Sequence, residues 1–402
     1  MPPAAAELLH LLVRWVHLIA GIMWIGNSML FNWLDRNLEP PPADRERSLG
    51  TIWMVHSGGF YSVEKTHLAP GQLPRTLHWF KWQNGITWLS GIALLILVYY
   101  LGGAALMTDA GSGARPEAEV VAIGIGSIVA GWLLYDLLWR SPIGKSPRLA
   151  IALSVAVVVT LSAIQFHFLG GRAAYMHTGV VLGTIMTGNV WFVILPSQRE
   201  LVAATEQGRA QDPRIGYQAK QRSVHNNYIT FPLLFIMLSN HFPLSFGNKW
   251  NWVVLLALAV GSALIRHLMN IRFTYKAWLV DASATLAAAC GVVLFFFSYP
   301  RGCAAERSAA AGPVKVSYAE IQPVLRQRCV PCHSSTPTSP LFRTAPNGVL
   351  LETREEVHAM LDRVKLRAVT LQNMPLGNAT QMTDDERALL AAWVEQEQAA
   401  PR

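Results

Sequence analysis

The residues best suited to chemistry lie near the C-terminus, in the segment Cys329-Val-Pro-Cys332-His333. Two cysteines separated by two residues and followed directly by a histidine form the attachment signature of a c-type haem. The thiols bind the porphyrin vinyl groups as thioethers, and the histidine reaches the iron from the same turn. The alternatives are a chance spacing, a redox dithiol or half of a zinc site, which would need a second ligand pair. The motif predicts one covalently bound haem c, with His333 as an axial ligand of the iron.

Met374 is the predicted second axial ligand of this iron. It lies downstream of the motif in Asn373-Met374-Pro375, where a small c-type domain supplies its sixth ligand. Ligation by Met and His raises the reduction potential of the iron, as an electron acceptor requires. The alternative is a core methionine, and Met360 and Met382 are weaker candidates for the ligand.

Three histidines of the apolar N-terminal part, His17, His167 and His177, are candidates for a second, non-covalent haem of b type. Such a haem needs axial histidines on facing helices inside an apolar bundle. His17 is followed one turn later by Gly21, a small residue that leaves room for a flat macrocycle. The alternative is a set of core or interfacial histidines with ordinary hydrogen bonds, and the sequence leaves both interpretations open.

An unusually aromatic segment, residues 51–88, contains the candidate catalytic residues His56, Lys65, His67 and His78. Connections of this kind usually pack back onto the protein and carry function. The alternative is an interfacial re-entrant segment anchored by its aromatic side chains. Elsewhere, Asn84 and Asn189 are interpreted as interhelical hydrogen-bonding groups.

The elements that must position these residues are mainly membrane helices. The chain has 402 residues, of which 52% are hydrophobic and only 14% are charged. About 25% is usual for a soluble domain, so one soluble globule and a disordered chain are both excluded. Runs long enough to cross a ~30 Å hydrocarbon core predict eight helical spans: 8–34, 82–106, 118–139, 149–169, 174–195, 226–242, 250–269 and 277–299. A faint internal repeat suggests two four-helix halves.

Of the net charge of +8, +7 belongs to this hydrophobic part, residues 1–300. One set of predicted loops, counted together with Arg266 near the adjoining end of the seventh span, carries 17 Lys and Arg residues, and the opposite set carries 3. The positive-inside rule places the richer set in the cytoplasm, so both termini face outward. This asymmetry accounts for the excess of Lys and Arg over Asp and Glu, so nucleic-acid binding is not needed to explain it. It predicts a multi-pass protein of the bacterial cytoplasmic membrane with its N-terminus in the periplasm.

The composition changes after the predicted membrane domain, residues 1–300. Residues 301–313 are predicted to be a linker, and residues 314–402 a small, helical class I cytochrome c domain on the periplasmic side. Ser317–Arg328 is an amphipathic run leading into the haem motif, and a capping box at Thr383 predicts a last helix. The overall expectation is an all-α fold. Attachment of haem c outside the cytoplasmic membrane agrees with the orientation deduced from charge.

Several segments together closely resemble the membrane-bound bacterial urate oxidases with a fused cytochrome c domain, also called urate hydroxylases. They are Arg14-Trp-Val-His-Leu-Ile-Ala-Gly-Ile-Met-Trp-Ile-Gly-Asn-Ser28, Val55-His-Ser-Gly-Gly-Phe-Tyr-Ser-Val-Glu-Lys65, Leu77-His-Trp-Phe-Lys-Trp82 and the terminal Cys-Val-Pro-Cys-His. The resemblance covers essentially the whole chain.

The resemblance implies oxidation of urate to 5-hydroxyisourate in purine breakdown. Electrons would pass to the cytochrome domain and then to the respiratory chain, through a soluble cytochrome c or a terminal oxidase. Oxygen would not be the direct acceptor. Urate bound near the cytoplasm would require an intermediate carrier such as haem b, whereas urate bound near the outer histidines would not.

Two rival functions remain at the level of the sequence. One is oxidation of quinol or another small molecule with reduction of cytochrome c. The other is a transporter or assembly factor whose tethered cytochrome only conducts electrons. Membrane lipid is a partner under every interpretation, and no oligomeric state is indicated.

Overall fold

The computed structural model describes residues 3–41, 46–101, 106–108, 115–247, 250–298, 316–339, 342, 345–370, 372 and 374–399. Most of these residues are helical, as the sequence predicts. The helices before residue 300 are α1 (Pro3–Asn37), α2 (Trp82–Leu95), α3 (Glu117–Arg140), α4 (Pro147–Phe168), α5 (Gly171–Asn189), α6 (Leu195–Glu206), α7 (Pro213–Ser239), α8 (Pro243–Phe246), α9 (Asn251–Ile271) and α10 (Trp278–Ser298). A π-helical segment, Ile96–Tyr100, extends α2, and a second, Val190–Ile194, joins α5 to α6.

Seven helical stretches in the described part of the chain are long and apolar enough to cross a membrane. They are Leu8–Asn37, Trp82–Tyr100, Glu117–Arg140, Pro147–Phe168, Gly171–Glu206, Asn251–Ile271 and Trp278–Phe296. They correspond to seven of the eight predicted spans. The fifth is longer than expected, because the helix continues past Leu195 to Glu206.

The predicted sixth span lies in α7, which does not meet the same criterion of composition. α7 has 27 residues, which at 1.5 Å per residue make it about 40 Å long. Its first half is polar and includes Arg214, Lys220 and Arg222, so only its second half is continuously apolar. Pro232 lies inside that second half. α7 is therefore long enough to cross a membrane, but it is more polar than the seven apolar stretches given above.

The all-α expectation misses a β-hairpin between α1 and α2. Strands β1 (Ser48–His56) and β2 (Gly59–Thr66) pair in antiparallel register, with His56 opposite Gly59. The two turn residues, Ser57 and Gly58, have φ angles of 49° and 75°, as a type I′ turn requires. A Ser-Gly turn between β-branched and aromatic residues was the available signal in the sequence.

The aromatic end of this hairpin does not pack back onto the protein. Val55 and Phe60 are opposite each other in the register and are 71% and 81% exposed. Trp53, two residues before Val55 and therefore on the same face, is 68% exposed. At this end of the hairpin, the exposure of these side chains favours the alternative interpretation, an interfacial segment with anchoring aromatic side chains.

The chain divides into two compact units. The first comprises residues 1–7, 94–182 and 231–402, and the second comprises residues 8–93 and 183–230. Small residues allow close helix contacts inside the first unit. A Cβ atom at Gly179 would lie 2.7 Å from Cγ2 of Ile236, so only glycine lets α5 approach α7 this closely there.

The C-terminal residues form a small helical core of their own. The helices are α11 (Tyr318–Arg328), α12 (Arg354–Ala359), α13 (Leu361–Val364), a π-helical segment (Lys365–Thr370) and α14 (Asp384–Ala399). Ile321, Val357, Leu390 and Trp393 are completely buried in this core. The linker 301–313, with Cys303, lies outside the described residues.

Glu386 connects the end of α11 to the start of α14. Its carboxylate accepts hydrogen bonds from Arg328 on α11, the shortest at 2.9 Å. It also accepts from the backbone amide of Thr383 at 2.7 Å, and the Thr383 hydroxyl accepts from the amide of Glu386 at 3.2 Å. This reciprocal pair is the predicted capping box of the last helix.

We predict that the stability of the C-terminal core falls at acidic pH through Glu386. Burial alone would raise the pKa of this carboxyl, but the hydrogen bonds from Arg328 and Thr383 outweigh it and leave the pKa below its usual value. A lowered pKa gives a stabilisation that is complete above about pH 4.3, the ordinary value for Glu, and is lost as the pH falls through the folded-state value.

Glu386→Gln is therefore expected to lower the stability of α14 by about 1 kcal/mol at pH 7, because the ion pair is partly exposed. Protection of α14 amides from hydrogen exchange in the full chain, measured between pH 3 and 7, tests this. The matched control is Glu355→Gln, which removes an exposed carboxylate of α12. Equal protection in the Glu386 variant and the wild type would contradict the prediction.

Candidate functional site

The predicted haem-binding residues lie on a single turn at the end of α11. The amide of Cys329 donates to the carbonyl of Leu325 at 2.8 Å, which closes the helix. The amides of Cys332 and His333 then both donate to the carbonyl of Cys329, at 3.1 and 2.9 Å. The turn therefore presents two thiols and an imidazole within one short segment.

The predicted ligands of this turn have defined surroundings. Nδ1 of His333 is 3.0 Å from the carbonyl oxygen of Val349, which orients the ring and leaves Nε2 for a metal. Cys329 and Met374 both pack against the buried core. Burial raises the pKa of the Cys329 thiol to about 12. The donor set and its apolar setting fit one haem c held by Cys329 and Cys332.

Met374 is held in place through its backbone. The guanidinium of Arg387, itself only 4% exposed, donates to the carbonyl oxygens of Met374 at 2.7 Å and of Ala368 at 2.5 Å. These bonds fix the segment that carries the thioether. Asn373, the neighbour of Met374 in the motif, lies outside the described residues.

The three candidate haem b ligands have very different surroundings. His177 is completely buried, with Nδ1 2.8 Å from the carbonyl of Ala173 and Nε2 3.0 Å from the hydroxyl of Tyr100. Both of its nitrogens are therefore occupied, which favours the interpretation as a core histidine. His167 is exposed, and its ring lies edge-on to Phe168.

His17 differs from both. Its Nδ1 lies 2.9 Å from the carbonyl of Thr87 and 3.1 Å from the hydroxyl of Ser90. Its ring also packs against Gly91, where a Cβ atom would lie 3.0 Å from Cε1. His17 belongs to the second compact unit, whereas His167 and His177 belong to the first.

The four candidate catalytic residues of the aromatic segment are not brought into one site. His56 lies at the turn of the hairpin, whereas Lys65 pairs with Gly50 six residues away, about 20 Å along the strand. Lys65 forms an exposed ion pair with Asp35 at 2.6 Å. His67 follows β2, and the ring of His78 lies against Phe80.

All four of these side chains are exposed. Across the residues that the structure describes, no group of three or more His, Cys, Asp or Glu side chains could hold a metal ion.

The structure instead gathers a buried polar cluster that sequence reasoning did not assemble. We call it the α2–α5–α7 cluster; its members are Asn84, Asn189, Trp191, Arg222 and Asn226. Asn84 and Asn189 are completely buried, and Arg222 and Asn226 are 4% and 8% exposed. Every member belongs to the second compact unit.

One half of the cluster lies between α5 and α7. Arg222 donates to Oδ1 of Asn189 at 3.2 Å, and Nδ2 of Asn189 donates to Oδ1 of Asn226 at 2.9 Å. Nδ2 of Asn226 then donates to the carbonyl of Met186 at 3.0 Å. The chain of amides therefore runs from the guanidinium back to the main chain of α5.

The other half lies between α2 and the π-helical segment Val190–Ile194. The indole of Trp191 donates to Oδ1 of Asn84 at 2.9 Å, and Nδ2 of Asn84 donates to the hydroxyl of Thr187 at 3.1 Å. A Cβ atom at Gly85 would lie 2.8 Å from the Trp191 ring, so glycine is needed for this close packing. Single π-helical turns often occur at functional sites.

The predicted spans place Arg222 in the loop before residue 226, whereas the structure buries it inside α7. The signal that could have found it is helical spacing, since Arg222 and Asn226 are four positions apart and share a face of α7. Asn84 and Asn189 were expected to form interhelical hydrogen bonds, and they do.

Comparison with protein families gives a match over most of the chain. Residues 3–297 match the family described as urate oxidase N-terminal. Comparison with curated proteins gave no match. Comparison with solved structures gave none either.

We predict that His177 contributes to stability and does not bind haem. His177→Leu should lower the stability of the purified protein by about 1–3 kcal/mol, because it leaves the Tyr100 hydroxyl without its imidazole partner. Thermal unfolding and the pyridine haemochrome spectrum measure the two effects. His167→Leu, at an exposed site, is the control. Loss of a non-covalent haem from the His177 variant alone would contradict the prediction.

Proposed function

The chain belongs to the urate oxidase N-terminal family, and on this basis we propose that it oxidises urate to 5-hydroxyisourate. We further propose that the electrons pass to its own C-terminal domain and then to the respiratory chain, without direct transfer to oxygen. The observation that carries the proposal is that one chain contains both the urate oxidase N-terminal family region and a haem-attachment motif. The family match ends at residue 297, and the Cys329-x-x-Cys332-His333 turn follows it.

The reaction must balance in atoms and electrons. Urate gains a hydroxyl group from water and releases two electrons and two protons on becoming 5-hydroxyisourate. When bound, a haem c supplies a one-electron acceptor, so each urate requires two successive transfers out of the protein. A soluble cytochrome c or a terminal oxidase would be the acceptor, and no hydrogen peroxide would form.

The C-terminal residues have defined roles in this proposal. Cys329 and Cys332 would hold the haem, His333 would be held towards the iron by the carbonyl of Val349, and Met374 would complete the ligation. Arg387 positions Met374 through its backbone carbonyl. A second haem is not needed if urate binds close enough to this domain for direct electron transfer.

We propose that the protein lies in the bacterial cytoplasmic membrane with its N-terminus and C-terminal domain on the periplasmic side. Seven apolar helices support a membrane location, and α7 would supply the eighth crossing. Arg222 and Arg266 are buried rather than located in loops. Without them the loop asymmetry is still fifteen basic residues against three, so the positive-inside argument holds.

Addition of urate to the purified, oxidised holoprotein tests the function. Urate should reduce the c-haem, with two electrons delivered per urate consumed and no hydrogen peroxide produced. Cys332→Ala, which removes one thioether, is the control for the route through the haem. Reduction by quinol but not by urate would favour the rival enzyme, and reduction by neither would favour the electron conduit.

We predict that Met374→Ala lowers the reduction potential of the haem by on the order of 100 mV, because a thioether ligand stabilises the reduced iron. The haem should remain attached through Cys329 and Cys332. A spectroscopic redox titration measures the change. Met360→Ala, at another methionine beside the same core, should leave the potential near its wild-type value; the reverse result would assign the ligand to Met360.

A further inference from the structure

The turn end of the β-hairpin presents an apolar surface to its surroundings. Trp53, Val55 and Phe60 share one face of the two strands, with Val55 directly opposite Phe60 in the register. Their exposed fractions are 68%, 71% and 81%. Single exposed apolar side chains are common on protein surfaces, whereas large ones side by side mark a surface that contacts something else.

This surface lies in a stretch of chain without acidic or basic side chains other than one histidine. Residues 48–63 contain no Asp, Glu, Lys or Arg. The nearest ionic side chains along the chain, Arg47, Glu64 and Lys65, all lie at the open end of the hairpin. Insertion of the turn end among lipids therefore removes no charged group of these types from water, which is the costly step for other exposed segments.

The open end of the hairpin is fixed to the end of α1. The chain leaving α1 pairs with β1 through Glu39 and Thr51, whose amides and carbonyls exchange hydrogen bonds of 2.8 and 3.1 Å. Lys65 of β2 forms its ion pair with Asp35 in the last turn of α1. A Cβ atom at Gly50 would lie 2.8 Å from the carbonyl oxygen of Glu39, so β1 passes directly beside the end of the helix.

Both connections of the hairpin lead to helices that are apolar enough to cross a membrane. α1 belongs to the stretch Leu8–Asn37, and α2 opens the stretch Trp82–Tyr100. Consecutive spans end and begin on the same side of a membrane, so the hairpin starts and finishes at one membrane surface. The rings of Phe80 and Phe31 lie 5.1 Å apart, which holds the returning chain beside α1.

The direction of the strands keeps the turn end near that surface. The pairing of Glu39 with Thr51 is antiparallel, so β1 runs opposite to the chain that leaves α1. From Thr51 to His56 the strand covers about 15–20 Å. The hairpin therefore folds back on the chain leaving the helix, and its apolar end stays within reach of the lipid headgroups.

We propose that the turn end of the hairpin inserts Trp53, Val55 and Phe60 into the lipid leaflet at which α1 ends and α2 begins. The assignment rests on the proposed membrane location, and this leaflet is the cytoplasmic one in the proposed orientation. Tryptophan is favoured at the boundary between lipid and water, and transfer of three large apolar side chains out of water favours insertion. The paired strands satisfy each other's backbone groups, as this environment requires.

A fluorescent label in nanodiscs tests the insertion on the full-length holoprotein. Cys290→Ala and Cys303→Ser remove the two cysteines outside the haem motif, and Val55→Cys then receives the environment-sensitive fluorophore NBD, with mass spectrometry to verify one label per chain. The discs contain phosphatidylcholine and phosphatidylglycerol, with or without lipids that carry a nitroxide near the headgroup end of the acyl chain. Gln207→Cys, at an exposed position after α6, is the control in the same background.

The nitroxide lipids should quench the label at position 55 at least about threefold more strongly than the label at position 207, since inserted apolar side chains reach the boundary between headgroups and acyl chains. Combining Val55→Cys with Trp53→Ser and Phe60→Ser should reduce the quenching to the level of the control. The replaced side chains are exposed, so haem content and thermal unfolding should stay unchanged in this variant.

The other outcomes separate this proposal from those on which it depends. Equal quenching at positions 55 and 207 would overturn the insertion and leave the membrane location standing. A label at position 55 that is shielded from water but not quenched by any lipid would indicate a protein partner or a second copy of the chain, and would also overturn it. Recovery of the protein in solution without detergent or discs would overturn the membrane location and the insertion together. Reduction of the haem by urate in the same discs reports on the proposed reaction separately.

Discussion

The structure depends on one constraint: polar groups buried among apolar helices must find their partners within the protein. His177 satisfies it through Ala173 and Tyr100, and the α2–α5–α7 cluster satisfies it through amides that link three helices. Because each unpaired group would cost several kcal/mol in such surroundings, these networks determine which helix faces meet. They also select the few positions where a charge such as that of Arg222 can be held.

The same constraint separates two kinds of chemistry along the chain. In the proposed function, the helical domain of residues 3–297 would recognise the planar urate anion. Single electrons would be accepted by a haem held at the C-terminal turn by Cys329, Cys332 and His333. The proposed function needs both, and their fusion in one polypeptide keeps the electron acceptor tethered to the site of oxidation.

Much of this organisation could be predicted from local sequence. The Cys-x-x-Cys-His spacing, the apolar runs and the capping box at Thr383 each depend on residues within one helix or turn. The described residues contain that turn, seven of the eight predicted apolar helices and the capping box. The hairpin at residues 48–66 was not predicted, because its one local signal is the Ser57-Gly58 turn, and its strands lack a regular alternation of polar and apolar residues. The predicted sixth span, 226–242, corresponds to the second half of α7, and the helix begins earlier, at Pro213, in a polar segment that the prediction assigned to a loop.

The sequence by itself determined the long apolar helices, the uneven distribution of basic residues between them and the Cys-x-x-Cys-His turn, because those signals depend on the spacing and composition of neighbouring residues. Only the tertiary structure decided which polar residues meet. Arg222 and Asn189 are 33 positions apart, and Trp191 and Asn84 are 107 apart. No local pattern encodes such pairings, since they arise when helices pack and each buried donor must face an acceptor on another element. The same packing occupied both nitrogens of His177 and left His56 and Lys65 at different ends of an exposed hairpin.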